Sequence, residues 1–127
     1  MLNFNSVLIG SENPQRLADF YRGIIGPAAM EDGGYFGFQV GAGFLTVGPH
    51  DKVHGRNAAP ERILINFETK DVKGEFERIK GLGAEVIAEP YQMGADDDQF
   101  QGSIATFADL DGNYFQLMTP MDPNAQP

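Results

Sequence analysis

The chain repeats itself. Val7, Ile9, Tyr21 and Ile24 recur as Ile65, Phe67, Ile79 and Leu82, each 58 positions later, and every pair is apolar or aromatic. The glycines that follow, Gly26 and Gly83, fall one residue short of that offset. Further on, Phe44-Leu45-Thr46-Val47-Gly48-Pro49 is mirrored by Phe115-Gln116-Leu117-Met118-Thr119-Pro120. Self-similarity at a long fixed period is the mark of one supersecondary unit used more than once. The fold must therefore be a duplicated one.

The unit is legible in the first copy. Phe4 to Ile9 is a short β-branched run that reads as a buried strand. Asn13 and Pro14 supply an N-cap and a first helical residue. Leu17, Phe20, Tyr21 and Ile24 then share one face of a helix that ends near Gly26-Pro27. Strands are predicted at 28–31, 35–40 and 43–47, with Asp32-Gly33-Gly34 and Gly41-Ala42 as hairpin turns. The stretch 48–60, GPHDKVHGRNAAP, is polar and without period, and reads as a linker. The second copy begins with Ile63, Ile65 and Phe67 alternating as a strand. Asp71 opens a helix bearing Val72, Phe76, Ile79 and Leu82, which Gly83 closes. Strands follow at 85–88, 103–107 and 114–118, a polar loop at 93–101, and a tight turn at Asp109-Leu110-Asp111-Gly112. The expected fold is α+β: two tandem βαβββ modules forming an eight-stranded curved sheet around a cleft. One domain spans 1–127, with module one at 1–49, linker 50–60, module two at 61–120 and tail 121–127.

Charge and composition remove several function classes. Eighteen acidic residues against nine basic ones leave a net charge of −9, which repels phosphate backbones and anionic lipid. Neither nucleic acid nor a membrane is expected as a partner. The absence of cysteine excludes disulfides, thiolate metal sites and a cysteine nucleophile. No apolar run approaches the ~18 residues of a membrane span, and the N-terminus lacks the charge and apolar pattern of a signal peptide, so a cytoplasmic protein is expected. There is no G-x-S-x-G and no phosphate-binding glycine loop. The aspartates at 96–98 lack the spacing of a calcium loop.

Three strings resemble one superfamily. They are Asn13-Pro14-Gln15-Arg16-Leu17-Ala18-Asp19-Phe20-Tyr21 with Gly26, the helix from Asp71-Val72-Lys73 to Gly83-Ala84, and Asp109-Leu110-Asp111-Gly112-Asn113-Tyr114-Phe115-Gln116-Leu117. Together they resemble the vicinal oxygen chelate superfamily of glyoxalase I, bleomycin-resistance proteins and extradiol dioxygenases, over about Phe4 to Pro120. The resemblance implies a site in the cleft, where a divalent Ni, Zn, Mn or Fe ion is usually held by His or Glu from the first and fourth strand of each half. Counting from the matched motifs places those positions at Ser6, Leu45, Leu64 and Gln116. None is a good ligand: two are hydrocarbon and two are neutral oxygens. No His, Asp or Glu stands one residue to either side of any of them.

Strand alternation sends Leu64, Asn66 and Glu68, and likewise Tyr114, Gln116 and Met118, to the cleft side. His50 and His54 read as solvated loop histidines, with His50 near enough to the fourth strand to line the cleft mouth. The expected ligand-binding residues are Ser6, Leu45, His50, Leu64, Asn66, Tyr114 and Gln116, with no metal and no cofactor. An apolar wall set with Ser, Asn, Gln and Tyr suits a small organic molecule, and the negative charge favours a cationic one. The resemblance then implies a metal-free binding protein of the bleomycin-resistance type. The alternative is a glyoxalase-type lyase or isomerase, or an extradiol-type dioxygenase, holding metal through His50, Glu68 or Gln116. Phe36, Phe38, Tyr91, Met93, Phe100, Met118 and Met121 form a surplus of large apolar side chains, from which a homodimer is expected.

Overall fold

A proline amide has no hydrogen to donate, so Pro14 is at no disadvantage as the first residue of a helix, where that donor has no partner. In front of it the Asn13 side chain accepts from the Arg16 amide at 3.2 Å, and the Ser11 hydroxyl accepts from the Asn13 amide at 3.0 Å. Helix α1 (Pro14–Ile25) follows, stopped at Gly26, whose φ of 97° is a conformation other residues adopt only with strain. The structure is a computed structural model that describes residues 1–93 and 102–122.

Around α1 lie β1 (Val7–Ser11), β2 (Met30–Asp32), β3 (Tyr35–Val40) and β4 (Gly43–Pro49), in the sheet order β1-β4-β3-β2. The repeat supplies the same set again: β5 (Ile65–Glu68), α2 (Val72–Gly81), β6 (Glu85–Met93), β7 (Gly102–Ala108) and β8 (Tyr114–Met118), ordered β5-β8-β7-β6. In each sheet the first strand runs parallel to the fourth, and the hairpins are antiparallel. The fold is therefore mixed α+β in two tandem modules, its eight strands forming two sheets of four. The chain divides into two compact units, Met1–Arg56 and Asn57–Pro127.

The edges of the expected elements shift where pairing, rather than apolarity, decides. β1 begins at Val7 and not at Phe4, because its register with β4 runs from Val7↔Leu45 to Ser11↔Pro49. Phe4 stands 86% exposed in front of it. Met93 ends β6; the rest of the expected 93–101 loop, with Asp96, Asp97, Asp98 and Phe100, lies outside the described residues. The segment at 50–60 is tied at both ends. The Gly55 amide donates to Glu12 at 3.1 Å in the first unit, and the Asn57 amide donates to the Asp111 carbonyl at 2.8 Å in the second.

Each helix covers one face of its own sheet. Leu17, Ala18, Tyr21 and Ile24 are buried with Ile9, Phe36, Phe38, Leu45 and Val47. Phe36 and Phe38 thus belong to the core and not to an exposed surplus. They are in register with Val47 and Leu45, and the Arg22 guanidinium of α1 lies 5.6 Å from the Phe36 ring. In the second unit Phe76 of α2 stacks on Phe107 at 5.1 Å, and Phe107 stacks on Phe115 at 5.4 Å. None of the described helices is long and apolar enough to cross a membrane.

Candidate functional site

Side chains alternate across a strand, so every residue between two helix-facing ones faces the other way. In the second unit Ile65, Phe67, Phe107, Phe115 and Leu117 face α2. The helix-free face then carries Asn66 and Glu68 of β5, Tyr114, Gln116 and Met118 of β8, and Ile104, Thr106 and Ala108 of β7. Register aligns three of these across neighbouring strands: Asn66 pairs with Gln116, and Gln116 with Thr106. The Gln116 Nε2 donates to the Thr106 hydroxyl at 3.0 Å. Thr106 is 6% exposed, so the amide is anchored on a buried group. The Gln116 Oε1 and the exposed Asn66 amide have no hydrogen-bond partner among the described residues. Tyr114 and Ala108 border this row on one side, Met118 and Ile104 on the other. Two amides and a hydroxyl in one line offer donors and acceptors without charge.

The turn that joins β7 to β8 fixes this alignment. Asp109 is buried and its Oδ1 accepts from the amides of Asp111 and Asn113, both at 2.9 Å. Its Oδ2 accepts from the Asn113 side chain at 3.0 Å, and Gly112 closes the turn with φ 79°.

In the first unit the helix-free face is differently furnished. It carries Leu8 and Gly10 of β1, Phe44, Thr46 and Gly48 of β4, Tyr35, Gly37 and Gln39 of β3, and Met30 and Asp32 of β2. The register makes Thr46 the counterpart of Gln116, since Val7 pairs with Leu45 where Ile65 pairs with Phe115. Leu45, expected among the ligand-binding residues, is only 4% exposed and points to α1. The string match that proposed it was displaced by one residue, and a one-residue slip turns a strand residue to the opposite face.

The remaining expected residues are placed as follows. Asn66, Tyr114 and Gln116 share the helix-free face of the second unit, and Leu64 stands just before its β5. Ser6 stands just before β1. His50 follows β4 and folds back over Gly10, where an added Cβ would lie 3.2 Å from the His50 Cβ; its Nδ1 accepts from the Lys52 amide at 3.1 Å. Thr106 lies outside the expected set; counting back from Gln116 across the Asp109–Asn113 turn is the one sequence signal that reaches it.

Where the resemblance leads one to look for metal ligands, and with Thr46 in place of Leu45, the first unit offers only the hydroxyls of Ser6 and Thr46, and the second only the Gln116 amide beside the hydrocarbon of Leu64. That set does not suit a divalent ion, which needs imidazole or carboxylate ligands here. Among the described residues no group of three or more His, Cys, Asp or Glu is placed to hold one. His50 lies in the first unit, Glu68 and Gln116 in the second.

Residues 6–118 match the model of a family described as glyoxalase-like domain. No curated protein matches the sequence. Among solved structures, the chain is similar to a glyoxalase/bleomycin resistance protein/dioxygenase family enzyme from Burkholderia phytofirmans PsJN, with TM-score 0.70 and 18% identity over 91% of this chain and 96% of that one. A glyoxalase/bleomycin resistance protein from Albidiferax ferrireducens T118 aligns with TM-score 0.71 and 16% identity, covering 92% of this chain and 98% of that one. The fosfomycin resistance protein FosX from Listeria monocytogenes aligns with TM-score 0.68 and 19% identity, over 95% and 93%.

Proposed function

The chain belongs to the glyoxalase-like domain family, and from that premise we propose that it binds a small organic molecule without a metal ion and without transforming it. The observation that carries this reading is the row Asn66–Gln116–Thr106. It presents unpaired hydrogen-bonding capacity between apolar side chains, on a face its own helix leaves uncovered. A ligand with an apolar body and amide-like or ring-nitrogen groups matches that surface. The net charge of −9 draws a cationic molecule toward the protein over long range. Glu68 is in register with Met118, and among the described residues neither a histidine nor a second carboxylate is paired to it as an acid–base couple requires. Similar folds named for resistance to bleomycin and to fosfomycin agree with a protective role.

A thermal-shift screen with bleomycin-type drugs and aromatic metabolites tests the reading. At least one compound is expected to raise Tm, to the same extent before and after chelator treatment. Gln116→Ala is then expected to weaken that compound about fivefold, the effect of one lost hydrogen bond of roughly 1 kcal/mol. A silent screen combined with metal-dependent turnover overturns the proposal.

The same reading includes a homodimer. Leu2 and Phe4 in the first unit, and Ile63 and Met121 in the second, are exposed apolar side chains of the kind that a closed pair of chains covers. Light scattering at micromolar concentration is expected to give twice 13.9 kDa. A mass of one chain refutes the pairing.

A further inference from the structure

We propose that the helix-free face of the first unit holds a subsite for a planar organic cation, built from the Tyr35 ring and the Asp32 carboxylate. This rests on the chain being a ligand-binding protein, and adds to that reading both a ligand class and a second location.

Register places the two residues side by side on neighbouring strands. β2 and β3 are joined by the turn Gly33-Gly34, whose φ values are 60° and 86°, and Asp32 pairs directly with Tyr35 across it. Cross-strand partners emerge on the same face with Cβ atoms about 5 Å apart. Glu31, one residue earlier, points to the opposite face and pairs with Arg22 of α1. Asp32 is the only charged strand residue on the helix-free face, and it has neither an ion-pair nor a hydrogen-bond partner among the described residues.

The ring is held in place by what lies beneath it. Tyr35 covers Gly48 so closely that a Cβ at that position would overlap its Cδ1 and Cε1. Phe44 covers Gly37 in the same way, with its Cζ 2.6 Å from where a Cβ would stand. Two glycines thus let two rings settle onto the sheet, yet Tyr35 remains 40% exposed. The ring leans over β4 and Asp32 stands on β2, at the other side of β3, so a flat cation lying along this face meets the ring quadrupole at one end and the carboxylate at the other. A flat ligand can lie along a face paved by rings; a neutral or anionic one gains nothing from Asp32.

Proflavine, a planar aromatic cation, is the probe, titrated by fluorescence into the full chain alongside acridine, the same tricycle largely uncharged at neutral pH. The expected result is saturable proflavine binding that weakens with salt, and weaker binding of acridine. Tyr35→Ala and Gly48→Ala, the second by displacing the ring, are each expected to weaken proflavine about tenfold. Asp32→Asn is expected to weaken it about fivefold and to reduce the salt dependence. Thermal melts confirm that each variant is folded; if Gly48→Ala is not, Tyr35→Ala decides. Absence of proflavine binding, or equal binding by wild type, Tyr35→Ala and Asp32→Asn, overturns the subsite. Loss of proflavine in Gln116→Ala, with none in the first-unit variants, overturns it and leaves the second-unit reading standing. A silent drug screen alongside the expected proflavine series does the reverse.

Discussion

Replacing Phe107 with alanine is expected to destabilise the protein by about 4 kcal/mol, the range for deleting a buried aromatic side chain. Phe107 is 0% exposed and sits between two other rings, with Phe76 of α2 at 5.1 Å and Phe115 of β8 at 5.4 Å. It is therefore the side chain through which the helix and the centre of the second sheet touch. Removing it leaves a cavity that neither neighbour can fill, since both rings are themselves buried and held by their own elements. A domain of this size has a total stability of about 5–15 kcal/mol, so most of the margin disappears. Phe107→Leu, which keeps much of the volume, should cost about 1.5 kcal/mol. Urea denaturation reads both. If the alanine variant lost less than about 1 kcal/mol, the three rings could not be the core of this unit.

Asp109→Ala is expected to cost about 3 kcal/mol, or on the order of 10 °C in Tm. The mechanism differs, because no large volume is removed. One carboxylate receives the amides of Asp111 and Asn113 and the Asn113 side chain, all within a turn whose centre is buried. Hydrogen bonds to a charged acceptor are stronger than neutral ones, and the substitution takes that acceptor from all three donors at once. Asn113 also accepts from the Asn57 side chain at 3.0 Å, so the loss extends to the start of the second unit. Asp109→Asn keeps one acceptor oxygen and should cost about 1 kcal/mol. The row proposed to bind a ligand depends on the same turn, since it sets the register that places Thr106 beside Gln116. Asp109→Ala should therefore lose ligand binding at temperatures where it is still folded. A variant as stable as wild type, by thermal melt, would show that the turn is held by its glycine alone.

Much of the architecture is carried by short-range signals, which is why it could be read from residues alone. Asn13 and Pro14 start α1, Gly26 stops it, and Asp71 caps α2 through the Gly74 amide at 2.9 Å. The strands at 35–40 and 114–118 keep their expected bounds because glycine turns or the Asp109 turn delimit them. The offset of 58 residues carried the topology, since two copies of one unit fold the same way. What a side chain faces is another matter. Leu45 and Thr46 are adjacent in sequence and equally at home in a strand, yet one meets α1 and the other the open face. Phe36 and Phe38 look like surplus apolar surface until pairing with Val47 and Leu45 assigns them to the core. Thr106 is an ordinary strand residue until β8 lays Gln116 against it, and Asp32 an ordinary turn aspartate until Tyr35 stands opposite. Caps, turns and periods act within a few residues, so local composition determines them. Register joins residues dozens of positions apart and changes the face of every side chain with each one-residue step. Only the assembled sheet decides it.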